Sequence, residues 1–138
     1  MSLQHYIKRF VLLCTVLFMA VGLSACAFKH RPVQNMTYEI PSNLNKEQIL
    51  QGIKRGLSLS DFSISSSGDA LRAEGPQNSR RVVIEISYDL TSFTVSPIEA
   101  EGYNYDKTEG TIHSAYYRRI KVVTDNINNE LRKLSLGL

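Results

Sequence analysis

Cysteine is scarce in this chain of 138 residues, occurring only at positions 14 and 26. Everything after Cys26 therefore lacks a thiol, which excludes a disulfide, a thiolate zinc site and a cysteine nucleophile from that part. Histidine is nearly as rare: His5 and His30 lie in the N-terminal quarter, and only His113 is expected inside a folded domain. There is no glycine-rich phosphate loop, no His-Glu-x-x-His and no Gly-x-Ser-x-Gly. Nor is there a large excess of one charge. Beyond residue 25, fourteen Lys and Arg face thirteen Asp and Glu, so the basic balance of the whole chain owes something to Lys8 and Arg9. That pattern does not argue for nucleic acid as a partner. Internal repeats and low-complexity tracts are missing too.

Long apolar runs are absent with one exception. Phe10 to Leu23 is interrupted only by Thr15 and Gly22, and Lys8 and Arg9 precede it. At fourteen residues it is shorter than the roughly 18 to 20 that span a bilayer as a helix, and its layout is that of an export signal. The residues that close it, Leu23-Ser24-Ala25-Cys26, resemble the lipobox of bacterial lipoproteins. The resemblance implies a diacylglyceryl group on the Cys26 thiol, cleavage before it by signal peptidase II, and acylation of the new amine, typically with palmitate, in Gram-negative bacteria. Each buried methylene contributes about 0.8 kcal/mol, so two or three chains anchor stably. Ala27 stands where an inner-membrane retention signal would place Asp. The expected location is therefore the outer membrane, with the domain in the periplasm.

On this reading residues 1–25 are a signal peptide, 26–42 a lipidated tether and 43–138 a single α+β domain. The 113 residues from Cys26 onward suit one modest core and are too few for two domains. Within the tether, a short extended piece is expected around Met36 to Ile40. Asn45 and Gln48 are spaced as a capping box, and Ile49, Leu50, Ile53 and Leu57 follow along one helical face, with Gly56 marking the expected end.

From Leu59 the period changes to two. Phe62 and Ile64 alternate with serines, Ser66-Ser67-Gly68-Asp69 supplies turn chemistry, and Leu71 and Ala73 resume the alternation. Val82, Ile84, Ile86 and Tyr88 share one face of the clearest strand, with Arg81, Glu85, Ser87 and Asp89 on the other. Phe93 and Val95 begin a fourth strand, which Pro97 should end or confine to a sheet edge. After an irregular stretch from Glu99 to Thr111, the positions Ile112, Tyr116, Ile120, Val123, Ile127, Leu131 and Leu134 predict a long amphipathic helix. The expected fold is an α+β two-layer sandwich, a four-stranded antiparallel sheet covered by two helices in the order αββββα.

Chemistry is harder to place. Serines near Ser58 to Ser67 could use His113 as a base, but turns and an exposed strand face explain them. Glu99, Glu101, Asp106 and Glu109 could supply the paired carboxylates of a peptidoglycan hydrolase, although their loop reads as solvated. The same carboxylates with His113 lack recognisable metal-ligand spacing, so neither a metal nor a cofactor is expected. More distinctive is an aromatic group at the loop-to-helix junction. Tyr103, Tyr105 and Tyr117 around His113 form the candidate binding patch, with Tyr116 beside them, since tyrosine suits recognition surfaces. The competing reading makes Tyr116 and Tyr88 core residues and lets the other tyrosines pin the long loop. Arg118, Arg119 and Lys121, with Arg80 and Arg81, are either a positive patch for lipid head groups or an acidic partner, or a solvated face.

The run Tyr88-Asp89, Ser92-Phe93-Thr94-Val95, Gly102-Tyr103-Asn104-Tyr105-Asp106, Ile112-His113, Tyr116 and Ile120 resembles a group of small Gram-negative lipoproteins of uncharacterised function. Their last helix opens with Ile-His-x-x-Tyr-Asn-x-Trp-Ile. Here Tyr117 replaces the Asn and Arg119 the Trp. The expectation from all of this is a membrane-anchored, non-catalytic binding module of the cell envelope whose partner is an envelope protein or surface polymer. The alternatives are an envelope hydrolase acting on peptidoglycan and a structural subunit of an envelope complex. If the junction is a binding patch, alanine at Tyr103, Tyr105 and His113 together should weaken partner capture with little change in thermal midpoint.

Overall fold

The computed structural model describes residues 30–67, 69–76 and 80–138. The expected signal peptide, Cys26 and the residues up to 29 lie outside the described residues. Arg31–Leu138 forms one compact unit.

The capping box expected at Asn45 is present. The Asn45 side chain accepts from the Gln48 amide at 2.9 Å, and the Asn45 amide donates to Gln48 Oε1 at 3.0 Å. Helix α1 then runs Lys46–Ser58. It does not stop at Gly56, because that glycine serves a different purpose. A Cβ there would lie 2.5 Å from the Ile127 Cα and 2.6 Å from its amide nitrogen. The absent side chain lets α1 touch the backbone of the second helix, α2, which spans Ala115–Ser135. Ile112, expected as the first apolar position of that helix, belongs instead to the short strand before it and is fully buried there.

Seven strands occur among the described residues: β1 His30–Pro32, β2 Met36–Glu39, β3 Ser63–Ser67, β4 Ala70–Glu74, β5 Val82–Tyr88, β6 Ser92–Ala100 and β7 Thr111–His113. Five form an antiparallel sheet in the order β2-β6-β5-β4-β3, and β1 pairs with β7 in a separate two-stranded ribbon. The α+β class, two helices and antiparallel pairing are as expected, whereas four strands in the order αββββα are not. The extended piece around Met36 to Ile40 is the fifth strand, with Met36 opposite Val95 and Glu39 opposite Ser92. A strand of four residues carries too little periodicity to reveal its partner sixty residues away.

Alternation along β5 sorts the sheet's two faces. Val82, Ile84 and Ile86, with Leu71, Ala73, Phe93 and Val95, join Ile49, Ile53 and Leu57 of α1 and Tyr116, Ile120, Val123, Ile127 and Leu131 of α2 in one core. On the opposite face Val83 pairs with Glu74 and Glu99 on its two sides. The Arg81 guanidinium bridges those carboxylates, donating Nε to Glu74 at 2.6 Å and Nη1 to Glu99, so it closes over Val83, which is fully buried. These hydrogen bonds raise the Arg81 pKa further above its ordinary value. Pro97 does not end β6. It lies past the end of β2, where β6 has become a sheet edge, and the strand continues to Ala100 through a register shift opposite Val83 and Ile84. The β5–β6 turn is capped by Asp89, whose Oδ1 accepts from the Thr91 hydroxyl, the Thr91 amide and the Ser92 amide at 2.7–2.8 Å. The same bonds hold its carboxyl below the usual range.

Candidate functional site

The four residues of the expected patch are brought close together in the chain's fold but do different things. Gly102 and Asn104 both adopt left-handed backbone, with φ of 73° and 49°, conformations that these two residue types tolerate best. The residue between them, Tyr103, is turned inward and only 3% exposed. Its ring meets Tyr116 edge-on at 6.1 Å, and the Arg80 guanidinium lies 5.7 Å from its centroid. Tyr103 thus belongs to the core. Tyr105 is half-buried, with its hydroxyl 3.5 Å from the Pro97 carbonyl and Lys107 5.8 Å from its ring centre.

His113 organises the backbone of the junction. Its amide donates to the Tyr103 carbonyl at 2.8 Å, and its Nδ1 accepts from the Ala115 amide at 3.1 Å. Ser114, in the N-cap position, makes no side-chain capping bond, so the imidazole satisfies one of the orphan amides at the start of α2. Accepting through Nδ1 requires that nitrogen to be unprotonated.

Tyr117 clamps the chain's N-terminal segment. Its hydroxyl donates to the Pro32 carbonyl and accepts from the Gln34 amide, both at 2.9 Å. Its ring sits edge-on to Tyr116 at 5.3 Å. Beside it the Val33 amide donates to the Gly110 carbonyl at 2.8 Å. Residues 31–39, expected to be tether, are therefore tied to the domain by this clamp and by β2. Tyr117→Phe removes both hydroxyl bonds, each contributing about 1 kcal/mol net at most in so exposed a place. We expect faster amide exchange at Gln34 with a thermal midpoint lowered by less than about 10 °C. Unchanged exchange at Gln34 would show that the clamp holds nothing.

Three of the four carboxylates considered for catalysis, Glu99, Glu101 and Asp106, are engaged in structural contacts. Glu99 pairs with Arg81 and lies 3.6 Å from Arg72, and Glu101 lies 3.6 Å from Arg81, all on the outer face of the sheet. Asp106 accepts from the Thr108 and Glu109 amides in its own turn. Among the described residues no group of three or more His, Cys, Asp or Glu is placed to hold a metal ion.

The five cations read as one basic patch are also dispersed. Arg80 covers Tyr103, Arg81 spans the outer sheet face, and Arg119 lies over the Phe62 ring at 5.9 Å with its Nε buried and unpartnered. Arg118 and Lys121 remain, one helical turn apart, and they line a groove of about 480 Å³ together with Arg31, Met36, Tyr38 and Tyr117. Sequence reasoning placed Arg31 in a tether and had no means of pairing it with residues nearly ninety positions later. Thr124, fully buried beneath, is hydrogen-bonded to the Tyr38 hydroxyl at 3.0 Å, which fixes one wall. Neither a known family model nor a curated protein matches this chain.

Proposed function

We propose that the protein is a lipid-anchored, non-catalytic binding module of the bacterial cell envelope, cleaved before Cys26 and displayed in the periplasm from the outer membrane. The observation that carries the reading is the nearness of the folded unit to the lipobox. The compact unit opens at Arg31, and five residue steps from Cys26 span at most about 18 Å. A domain so held works at a membrane surface and reaches little beyond it. No helix among the described residues is long and apolar enough to cross a membrane; in this proposal the attachment is the acyl chains on Cys26. The non-catalytic part of the proposal is supported by the engagement of Glu99, Glu101, Asp106 and His113 in structural bonds.

Intact mass of the protein purified from membranes tests the anchor. The expected species begins at Cys26 and carries a diacylglyceryl group, and it stays in the membrane pellet after high-salt washing. Cys26→Ala should abolish both properties. Cleavage elsewhere, or an unmodified Cys26, sinks the proposal. Muropeptide release by the purified protein that is lost on replacing Glu99 or His113 would replace the binding module with the hydrolase.

A further inference from the structure

The groove between β1 and the first turns of α2 carries three cations, Arg31, Arg118 and Lys121, and one lining carboxylate, Asp125. Asp125 pairs with Lys121 at 2.7 Å, and these hydrogen bonds raise the Lys121 pKa. Among the described residues, no carboxylate forms an ion pair with Arg31 or Arg118 within 4.0 Å. Both are exposed, and the fold holds them on one concave surface in place of letting them separate. Between the charges stand Met36, Tyr38 and Tyr117, apolar or half-apolar side chains of the kind that settle at a membrane–water boundary. A concave site with uncompensated cations above and amphipathic walls fits a singly charged phosphodiester whose glycerol end is greasy.

Position narrows the source of that phosphate. Arg31 is both a groove residue and the first residue of the compact unit, five steps after Cys26. Arg31 therefore lies within about 18 Å of the anchored residue along the chain. We infer that the groove seats the phosphate head group of an anionic phospholipid in the leaflet that holds the acyl chains, an inference that rests on the anchor reading above. Occupied, it turns the face that carries Arg31, Arg118 and Lys121 toward the membrane.

The test uses the isotope-labelled mature polypeptide, residues 26–138 with Cys26→Ser, which contains every described residue and needs no acylation. It is titrated by NMR with short-chain phosphatidylglycerol below its micelle concentration, with the phosphatidylcholine analogue, and with inorganic phosphate. Phosphatidylglycerol should shift the amides of Arg31, Gln34, Tyr117, Arg118 and Lys121 in one saturable process. The phosphatidylcholine analogue should leave them in place. Arg31→Gln with Arg118→Gln should weaken the process about 25-fold, about fivefold per cation removed, while peak dispersion elsewhere is retained. Equal shifts from phosphatidylcholine, equal shifts from inorganic phosphate, or shifts at other residues would each overturn the proposal. An acylated mass with a silent titration discards the groove and keeps the anchor; an unacylated mass discards the anchor whatever the titration shows.

Discussion

Gly56→Ala is expected to lower stability by about 3 kcal/mol, a fall of about 10–15 °C in thermal midpoint for a domain of this size. Alanine is intrinsically the better helix former by about 1 kcal/mol, so the propensity effect has the opposite sign and the clash must exceed it. The reason it does so lies in what the new methyl would meet. At 2.5 and 2.6 Å from the Cα and amide nitrogen of Ile127, it faces backbone of a packed helix, and only a separation of α1 from α2 relieves the overlap. Gly52→Ala is the internal control. Its methyl would meet Leu131 Cδ2 at 2.7 Å, Leu131 Cγ at 3.2 Å and Leu134 Cδ1 at 3.3 Å, side-chain atoms that give more readily than backbone, so a loss smaller than that of Gly56→Ala is expected. Equal losses from the two substitutions in urea unfolding would refute this account of the helix contact.

The second large effect is expected at Tyr103. Truncation to alanine removes a nearly buried ring, its edge contact with Tyr116 and the surface on which Arg80 rests. A cost of about 3–4 kcal/mol follows from burial of that size. Tyr103→Phe keeps the ring and should come within about 1 kcal/mol of the parent. The triple alanine replacement of Tyr103, Tyr105 and His113 is thus expected to unfold the domain well before it reports on any partner. Tyr105→Ala alone, at a half-buried position, is the variant whose binding and folding effects can be read apart. A triple variant that melts near the parent temperature would return Tyr103 to the surface and restore the patch as first conceived.

What the residues revealed before folding was local. Asn45 and Gln48 announce the start of α1 because both partners of the capping box lie within one turn. The β3–β4 hairpin and the faces of β5 follow from alternation along a few residues, whereas the burial of Val83, on the wet face of β5, depends on Glu74 of β4, Glu99 of β6 and Arg81 just before β5. Gly56 departs from its expected role as a helix end for a related reason. A glycine near a helix end looks the same whether it terminates the helix or admits a neighbour, and Ile127, which decides between them, is 71 positions away. The candidate site divides likewise. His113 and the tyrosines stand out in the sequence, but the division into core (Tyr103), cap (His113) and clamp (Tyr117) depends on contacts with residues as distant as Pro32.

The clamp and β2 also bear on how the chain acquires its fold. Synthesis delivers residue 36 long before residue 95, yet these are partners, and Tyr117 must emerge before Pro32 and Gln34 have anything to hold. The hairpins joining β3, β4, β5 and β6 need only short loops and can close first. The end that arrives first is therefore the last to be fastened. Until it is, the margin of β6 from Ser92 to Val95 stays uncovered, and a neighbouring chain offering a strand competes with β2 for it. Synthesis in this order makes the N-terminal segment a closing flap whose speed of docking sets how long newly made molecules remain open to mispairing.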